Sequence, residues 1–413
     1  MKRLAPWTLL LVTVLVIIVP FAMAAAANVP AKSSNASPGA PIASVVSTVT
    51  GIAISPLLGT GAYGAYQWMM ADGEVARGKL PWFAQPSFWL PALLIVAACA
   101  AKDAFGAAVP TGMKKPLDVL ETIENKFSGL IAAGAVIPFA MSAMTKMLFD
   151  DGGAKVQAAV TPLLASSGLA MIQLSAVDLT WLLNILTVPF GVAVFLLVWL
   201  ASHAINVLIL LSPWGAIDGV LKAARTSLLG LVTLSATINP AIGAALSLAV
   251  VIVAYFVAGW SFRLMIFGAV YSWEFVTRRC RRFMPADNEN KMFAGVGFEA
   301  VPVRTYGRLL KGPAGELRFH YRPWLFMAEQ VADVPVARRE LAVGEGVFFS
   351  DIVEEATDRT LFSLPPRYRG HEHLVARNYG LEQGVCPAGL NKAWSELREM
   401  VGGRAVKKEL QPA

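Results

Sequence analysis

From Ala241 to Val276 the chain is dominated by Ala, Val, Leu, Ile, Phe and Gly, and it then runs into Arg278, Arg279, Arg281 and Arg282, set around Cys280. An apolar run of that length needs lipid or a very large core to cover it, and Lys/Arg-rich flanks stay on the cytoplasmic side of a membrane. The stretch therefore predicts a membrane span with its cytosolic edge marked. The four arginines are candidates for a membrane-surface anchor on anionic lipid headgroups. Everything after Arg282 is predicted to be cytosolic.

Composition supports the same class. The 413 residues are 56% hydrophobic and only 15% charged, with a mean hydropathy of +0.56, whereas soluble domains carry about 25% charged residues. The net charge of +7 raises the question of nucleic acid. However, residues 286–413 hold 17 Lys/Arg against 17 Asp/Glu, so the whole surplus lies in the apolar part. It reads as membrane orientation, and no nucleic-acid partner is expected. Cys99, Cys280 and Cys386 form no CxxC pair, which argues against zinc, redox chemistry and a disulfide framework.

In chain order, Met1-Lys2-Arg3, an apolar run from Leu9 to Val19 and the small residues Ala22-Met23-Ala24 have the parts of a secretory signal. Cleavage after Ala24 is the reading, with an uncleaved N-terminal anchor as the alternative for residues 1–24. Residues 25–41 follow as a flexible leader. Apolar segments then fall at 42–70, 86–108, 127–149, 156–177, 181–212, 226–238 and 240–276. The segment at 42–70 is interrupted by Gly51, Pro56, Gly59, Gly61 and Gly64, and 156–177 contains Pro162 and Gln173. That at 226–238 is short of the roughly 20 residues a bilayer requires. Broken or re-entrant helices are predicted there.

Between spans, Leu117, Leu120 and Ile123 share one face of a predicted surface helix over 114–126, and Asp218, Val220, Leu221, Lys222 and Arg225 make a similar piece. The series Pro110, Asp118, Gly129-Leu130, Pro138 parallels Pro213, Asp218, Gly230-Leu231, Pro240. This suggests an internal repeat of residues 86–149 and 181–276. Placing the basic surface helices in the cytosol and Asp150-Asp151 outside leaves the C-terminus inside.

Thr50-Gly51-Ile52 with Pro56-Leu57-Leu58, the start of the next span at Pro86 to Leu90, and its exit through Lys102-Asp103 to Pro110 resemble a family of short bacterial integral-membrane proteins known only as a domain of unknown function. The resemblance covers residues 45–275 and implies a helical membrane fold without a known activity.

The tail changes character. Residues 278–290 read as a basic juxtamembrane linker and 291–413 as a β-rich domain. Strands are predicted at Phe298–Val303, Leu317–Tyr321, Trp324–Met327, Gly346–Val353 and Thr360–Leu364, and helices at 370–379 and 388–400. Strands closed by a C-terminal helix are similar to the pleckstrin-homology-like roll. The predicted fold is thus mainly α: a polytopic transmembrane helical bundle over 42–277 with re-entrant or broken helices, plus a small cytosolic β-rich (α+β) domain.

Candidate chemistry is sparse. Lys102 and Asp103 sit near the end of a span, where ionisable groups are either functional or snorkelling. His203 and Asn206 share a helix face at i, i+3, as a polar path or as interhelical hydrogen bonds. Asn239-Pro240, like Ile137-Pro138, ends or kinks an apolar segment, and such breaks expose backbone groups that coordinate ions in transporters. Lys102, Asp103, His203, Asn206 and Asn239 together form the candidate polar pathway. Glu274 reads as an ordinary juxtamembrane charge, and Arg367-Tyr368-Arg369 as a solvated basic turn within reach of lipid headgroups. His371-Glu372-His373 begins a predicted helix, where i and i+2 diverge, which disfavours a metal site. No catalytic, cofactor or metal signature appears. The sequence therefore predicts a non-enzymatic, multi-pass protein of the bacterial inner membrane. In this reading it is a scaffold or regulatory component whose cytoplasmic domain binds a protein partner or lipid, and the alternative is a small-solute or ion transporter.

Overall fold

The computed structural model describes residues 40–104, 111–150, 180–211, 215–346 and 349–388, in two compact units that meet in the chain between Ser261 and Phe262. The predicted signal, the predicted leader up to residue 39, the apolar segment 156–177 and the predicted helix 388–400 lie outside these residues, apart from Ala388.

The N-terminal unit is helical. Helices α1 (Ala40–Ile54) and α2 (Pro56–Met70) break at Ser55, as the proline and glycines of 42–70 predict. After the short α3 (Gly73–Gly78) come α4 (Pro86–Ala104), α5 (Thr111–Ile131) and α6 (Ile137–Asp150), the last two joined by a π turn over Ala132–Val136. Helices α7 (Thr180–Leu211), α8 (Gly215–Ile238) and α9 (Pro240–Val276) follow. Among the described residues three stretches are long and apolar enough to cross a membrane: Val119–Lys146, Asn184–Leu211 and Pro240–Val276. Helix α7 packs against α1, α5, α6 and α8, and the core it shares includes Val49, Ile52, Ile137, Met141, Phe195 and Val198.

Two predicted boundaries disappear. The surface helix over 114–126 and the span after it are one run through α5 and α6, and the Asp218–Arg225 piece is continuous with 226–238 in α8. Asp218, Lys222 and Arg225 are spaced four and three apart, so they form one polar face of a single helix and not a separate element. Pro138 does not break its helix. It lacks an N–H, and the π turn immediately before it shifts the hydrogen-bond ladder so that the helix continues.

The C-terminal unit is built on one eight-stranded sheet of order β4-β3-β2-β1-β7-β6-β5-β8. The strands are β1 (Glu289–Ala294), β2 (Tyr306–Lys311), β3 (Leu317–Tyr321), β4 (Gln330–Asp333), β5 (Leu341–Glu345), β6 (Ser350–Glu354), β7 (Arg359–Leu364) and β8 (Val385–Pro387). All pairings are antiparallel except β5 with β8. Helix α10 (Glu372–Tyr379) packs on β5 and β8. Burial alternates along β1 and β2, so Met292, Leu309 and Phe319 enter the core while Lys291, Arg308 and His320 stay on the other face.

The predicted strand 317–321 is β3, and 360–364 lies in β7. Phe298–Val303 is instead a series of turns, in which Phe298 and Val301 are buried three residues apart. Trp324–Met327 is not a strand either: Pro323–Leu325 form a tight 3-10 turn, and the next strand starts at Gln330. The unit also claims the last turns of α9: Phe267 packs on Phe293 at 4.7 Å between ring centres, and Tyr271 on Phe349 at 5.2 Å. Glu274 and Arg367, read as a juxtamembrane charge and a solvated turn, are both buried and paired with one another.

Candidate functional site

In the helical unit the polar groups gather where α1 breaks. Pro56 has no N–H to offer and ends the ladder of α1. The carbonyl of Ile54 is taken over by two side chains, accepting from Ser202 Oγ at 2.6 Å and from Arg225 Nε at 3.0 Å. A guanidinium at a helix C-terminus also complements the negative end of the helix dipole. Arg225 donates through Nη1 to Asn206 Oδ1 at 2.6 Å, linking the break to α7. One turn earlier on α7, His203 Nδ1 lies 2.9 Å from Asn125 Oδ1 of α5. An amide oxygen only accepts, so Nδ1 carries the proton. The His203 ring stacks on Trp199 at 5.3 Å, and Trp199 Nε1 reaches Asn125 O at 3.4 Å. His203 Nε2, Asn206 Nδ2 and Glu124 Oε1 are buried without a partner among the described residues.

Of the residues singled out by sequence, His203 and Asn206 therefore come together, joined by Asn125, Ser202 and Arg225. Asn239 is exposed and caps α9, its Oδ1 accepting from Ala241 N at 2.9 Å. Lys102 and Asp103 occupy the end of α4, and their side chains lie outside the described residues. The signal for Arg225 was the last charge of the predicted surface piece, directly before an apolar segment. That for Asn125 was weaker, an amide hidden in a run of charges.

Two helix corners share a sequence pattern. Ile54-Ser55-Pro56-Leu57-Leu58-Gly59 joins α1 to α2, and Ile238-Asn239-Pro240-Ala241-Ile242-Gly243 joins α8 to α9. In each, the residue before proline donates back to the helix and its carbonyl accepts from the glycine, at 2.7 Å for Gly59 N and 3.1 Å for Gly243 N. A Cβ on Gly59 would stand 2.6 Å from Ile52 Cα, and one on Gly243 2.5 Å from Ala236 Cα. Residues seven apart in a straight helix are about 10 Å apart, so both corners fold sharply back and need glycine there.

The C-terminal unit offers a groove of about 550 Å³ across the solvent face of β1, β2 and β3. Strand register places Lys291, Arg308 and His320 in one cross-strand row. Arg308 sits between two carboxylates, with Nη1 donating to Glu289 at 2.9 Å and Nη2 to Glu329 at 2.7 Å. These hydrogen bonds hold the Arg308 pKa above its ordinary value, and Arg308 holds Glu329 below the usual carboxylate range. Tyr321 OH donates to Gln330 at 2.6 Å on the neighbouring β4, which ends the sheet.

Arg278, Arg279, Arg281 and Arg282 are exposed, and Arg278 ends α9 in the left-handed region at φ 46°. His371 Nε2 contacts Cys280 O at 2.9 Å, Glu372 accepts from Ser350 Oγ at 2.7 Å, and His373 is exposed, so the His-Glu-His run diverges. Among the described residues no group of three or more His, Cys, Asp or Glu is placed to hold a metal. No family model, curated protein or solved structure matches the chain.

Proposed function

We propose that the chain is a non-enzymatic integral membrane protein: a multi-pass helical bundle in a bacterial inner membrane that presents its C-terminal sheet unit to the cytoplasm as a platform for a protein partner. The membrane part is supported by the three long apolar helices and by the bare side of α9, where Val253, Tyr255 and Phe256 are 61%, 67% and 79% exposed. Lipid is the natural cover for such a face.

The observation that carries the binding role is the groove beside β4. An edge strand offers unpaired backbone groups to an extended segment of another chain, and a neighbouring groove selects its side chains. Arg308 is already held by two carboxylates, so the groove suits a peptide of mixed polarity better than a phosphate. A photo-crosslinking amino acid replacing Tyr321 in cells should give a protein adduct that the same probe replacing Ala356, on the β6–β7 turn, does not give. Arg308→Glu should remove that adduct, and failure to find any groove-specific adduct would end the platform reading.

A second reading, a small-solute or ion transporter, is favoured by the cluster at the broken helix. Its buried atoms without a partner among the described residues, His203 Nε2, Asn206 Nδ2 and Glu124 Oε1, are of the kind that meet a polar solute between helices. Proteoliposomes loaded with proton- and alkali-cation-sensitive dyes test it. Flux that His203→Leu abolishes would support it, and leakage equal to that of protein-free liposomes would remove it.

A further inference from the structure

Helix α9 has 37 residues, far more than a bilayer requires. At 1.5 Å per residue it is about 55 Å long, against a hydrocarbon core of about 30 Å. Pro240 to Ser261 is enough to cross that core, at roughly 33 Å. The C-terminal unit begins at the next residue, Phe262. The part of α9 that the sheet unit covers is therefore the part that lipid does not have to.

The residues of the sheet unit that stand beside Phe262 are unusual for a surface in water. Trp324 packs on Phe262 at 4.8 Å between ring centres, and Arg263 Nε donates to Val303 O at 3.0 Å. Beyond Trp324 the turn carries Leu325, Phe326 and Met327, which are 45%, 78% and 46% exposed. Trp324 and Leu325 both sit in the left-handed region, at φ 55° and 65°, where side chains other than glycine are strained. The backbone thus holds a row of large apolar side chains away from its own core. Cations stand beside these contacts: Arg322 precedes Pro323 and lies 4.0 Å from Glu329, Arg263 donates to Val303 O, and Arg304 stacks over Phe267 at 5.5 Å. Aromatic and long apolar side chains rimmed by arginine match the chemistry of the bilayer interface, where rings sit at headgroup level and guanidinium groups meet lipid phosphates.

We propose that the turn Pro323–Met327 is a membrane-interface foot, entering the headgroup layer of the same bilayer that α9 crosses. The proposal rests on the membrane reading of α9. It also moves the contact point along the helix: Arg278 to Arg282 lie about 25 Å further along the chain's rise than Phe262, so they mark orientation while the turn makes the contact.

The test uses the full chain in proteoliposomes of phosphatidylcholine and phosphatidylglycerol, with an environment-sensitive fluorescent amino acid replacing Phe326, Arg281 or Ile252 in turn. The Phe326 probe should emit to the blue of the Arg281 probe and lose most of its emission to a quencher on the lipid headgroup or upper acyl chain. The Arg281 probe should respond only to aqueous iodide. If the Arg281 probe is lipid-quenched and the Phe326 probe is not, the foot is overturned in favour of the basic run as the anchor. If neither is lipid-quenched while Ile252 responds to a deep acyl-chain quencher, the foot is overturned and the membrane span stands. If Ile252 also fails to respond, the membrane reading falls, and the foot with it.

Discussion

The Glu274 carboxylate, near the end of α9, accepts from both the backbone N–H and the guanidinium of Arg367, ninety-three positions later in the chain. The two side chains are 1% and 9% exposed, so the pair is desolvated. Breaking such a pair from one side leaves a bare buried charge, at a cost of about 3–5 kcal/mol, whereas replacing both partners by apolar groups of similar volume is often close to neutral. Glu274→Leu or Arg367→Met alone should therefore strongly destabilise the C-terminal unit, and the double variant should recover much of the loss. Pulse proteolysis of the detergent-solubilised full chain in urea reads both. Equal losses in single and double variants would mean that packing, not charge, is what the pair provides.

Asp351 on β6 faces Ser363 of β7 across the ladder. Burial raises its carboxyl pKa above the ordinary value, with a hydrogen bond from Ser363 acting the other way. A raised folded-state pKa means that the folded chain binds the proton more tightly, so this group's contribution is fully present below its unfolded pKa and is lost as pH rises through the folded value. Asp351→Asn should accordingly stabilise the unit at neutral pH, with the advantage fading as the buffer is acidified toward pH 4. Denaturation midpoints measured across that range check it, and an advantage independent of pH would exclude the electrostatic cause.

Gly243, at the second proline corner, and Gly219, inside α8, predict opposite outcomes for the same substitution. A Cβ at Gly243 meets the backbone of Ala236 at 2.5 Å, and only a backbone shift makes room, costing about 1–3 kcal/mol. A Cβ on Gly219 has nothing within 4 Å among the described residues. There an added methyl only restricts the unfolded chain and improves helix propensity, for a gain of about 0.5–1 kcal/mol. Gly243→Ala should lower the thermal midpoint of the solubilised protein and Gly219→Ala should raise it.

These cases indicate what the sequence could and could not yield. Helix breaks at Pro56 and Pro240 follow from a missing N–H, a local property, and they fall where the residues place them. So do β3 and β7, whose alternating or β-branched residues need only a neighbour to pair with. Strand β1 escaped because Glu289-Asn290-Lys291 is polar enough to read as linker; its burial alternation exists only once β2 and β7 flank it. Arg367 and Tyr368 looked solvated because their partners, Glu274 and Asn290, are distant in sequence. In the helical unit His203 and Asn206 were legible as a pair on one face. The carbonyl that organises their surroundings belongs to Ile54, whose side chain carries no polar signal at all.

That carbonyl supports the last prediction. Arg225 spans two acceptors at once, Ile54 O through Nε and Asn206 Oδ1 through Nη1, at 3.0 and 2.6 Å. The flat guanidinium fork makes this bridge possible; a lysine ammonium is a point charge on a flexible stem and cannot reproduce two donors at fixed separation. Arg225→Lys should therefore lose most of what Arg225→Met loses, despite keeping the charge. On the proposed membrane reading, interhelical hydrogen bonds average about 0.6 kcal/mol each, so a loss of roughly 1 kcal/mol is expected from the two contacts, with more if the end of α1 frays. The readout is hydrogen exchange at the amides of α1 and α2 around Ser55 in the solubilised protein. Faster exchange there in both variants, with α6 unchanged, is the expected pattern. Full protection in Arg225→Lys would show that charge at the helix end, and not the bridge, closes the break.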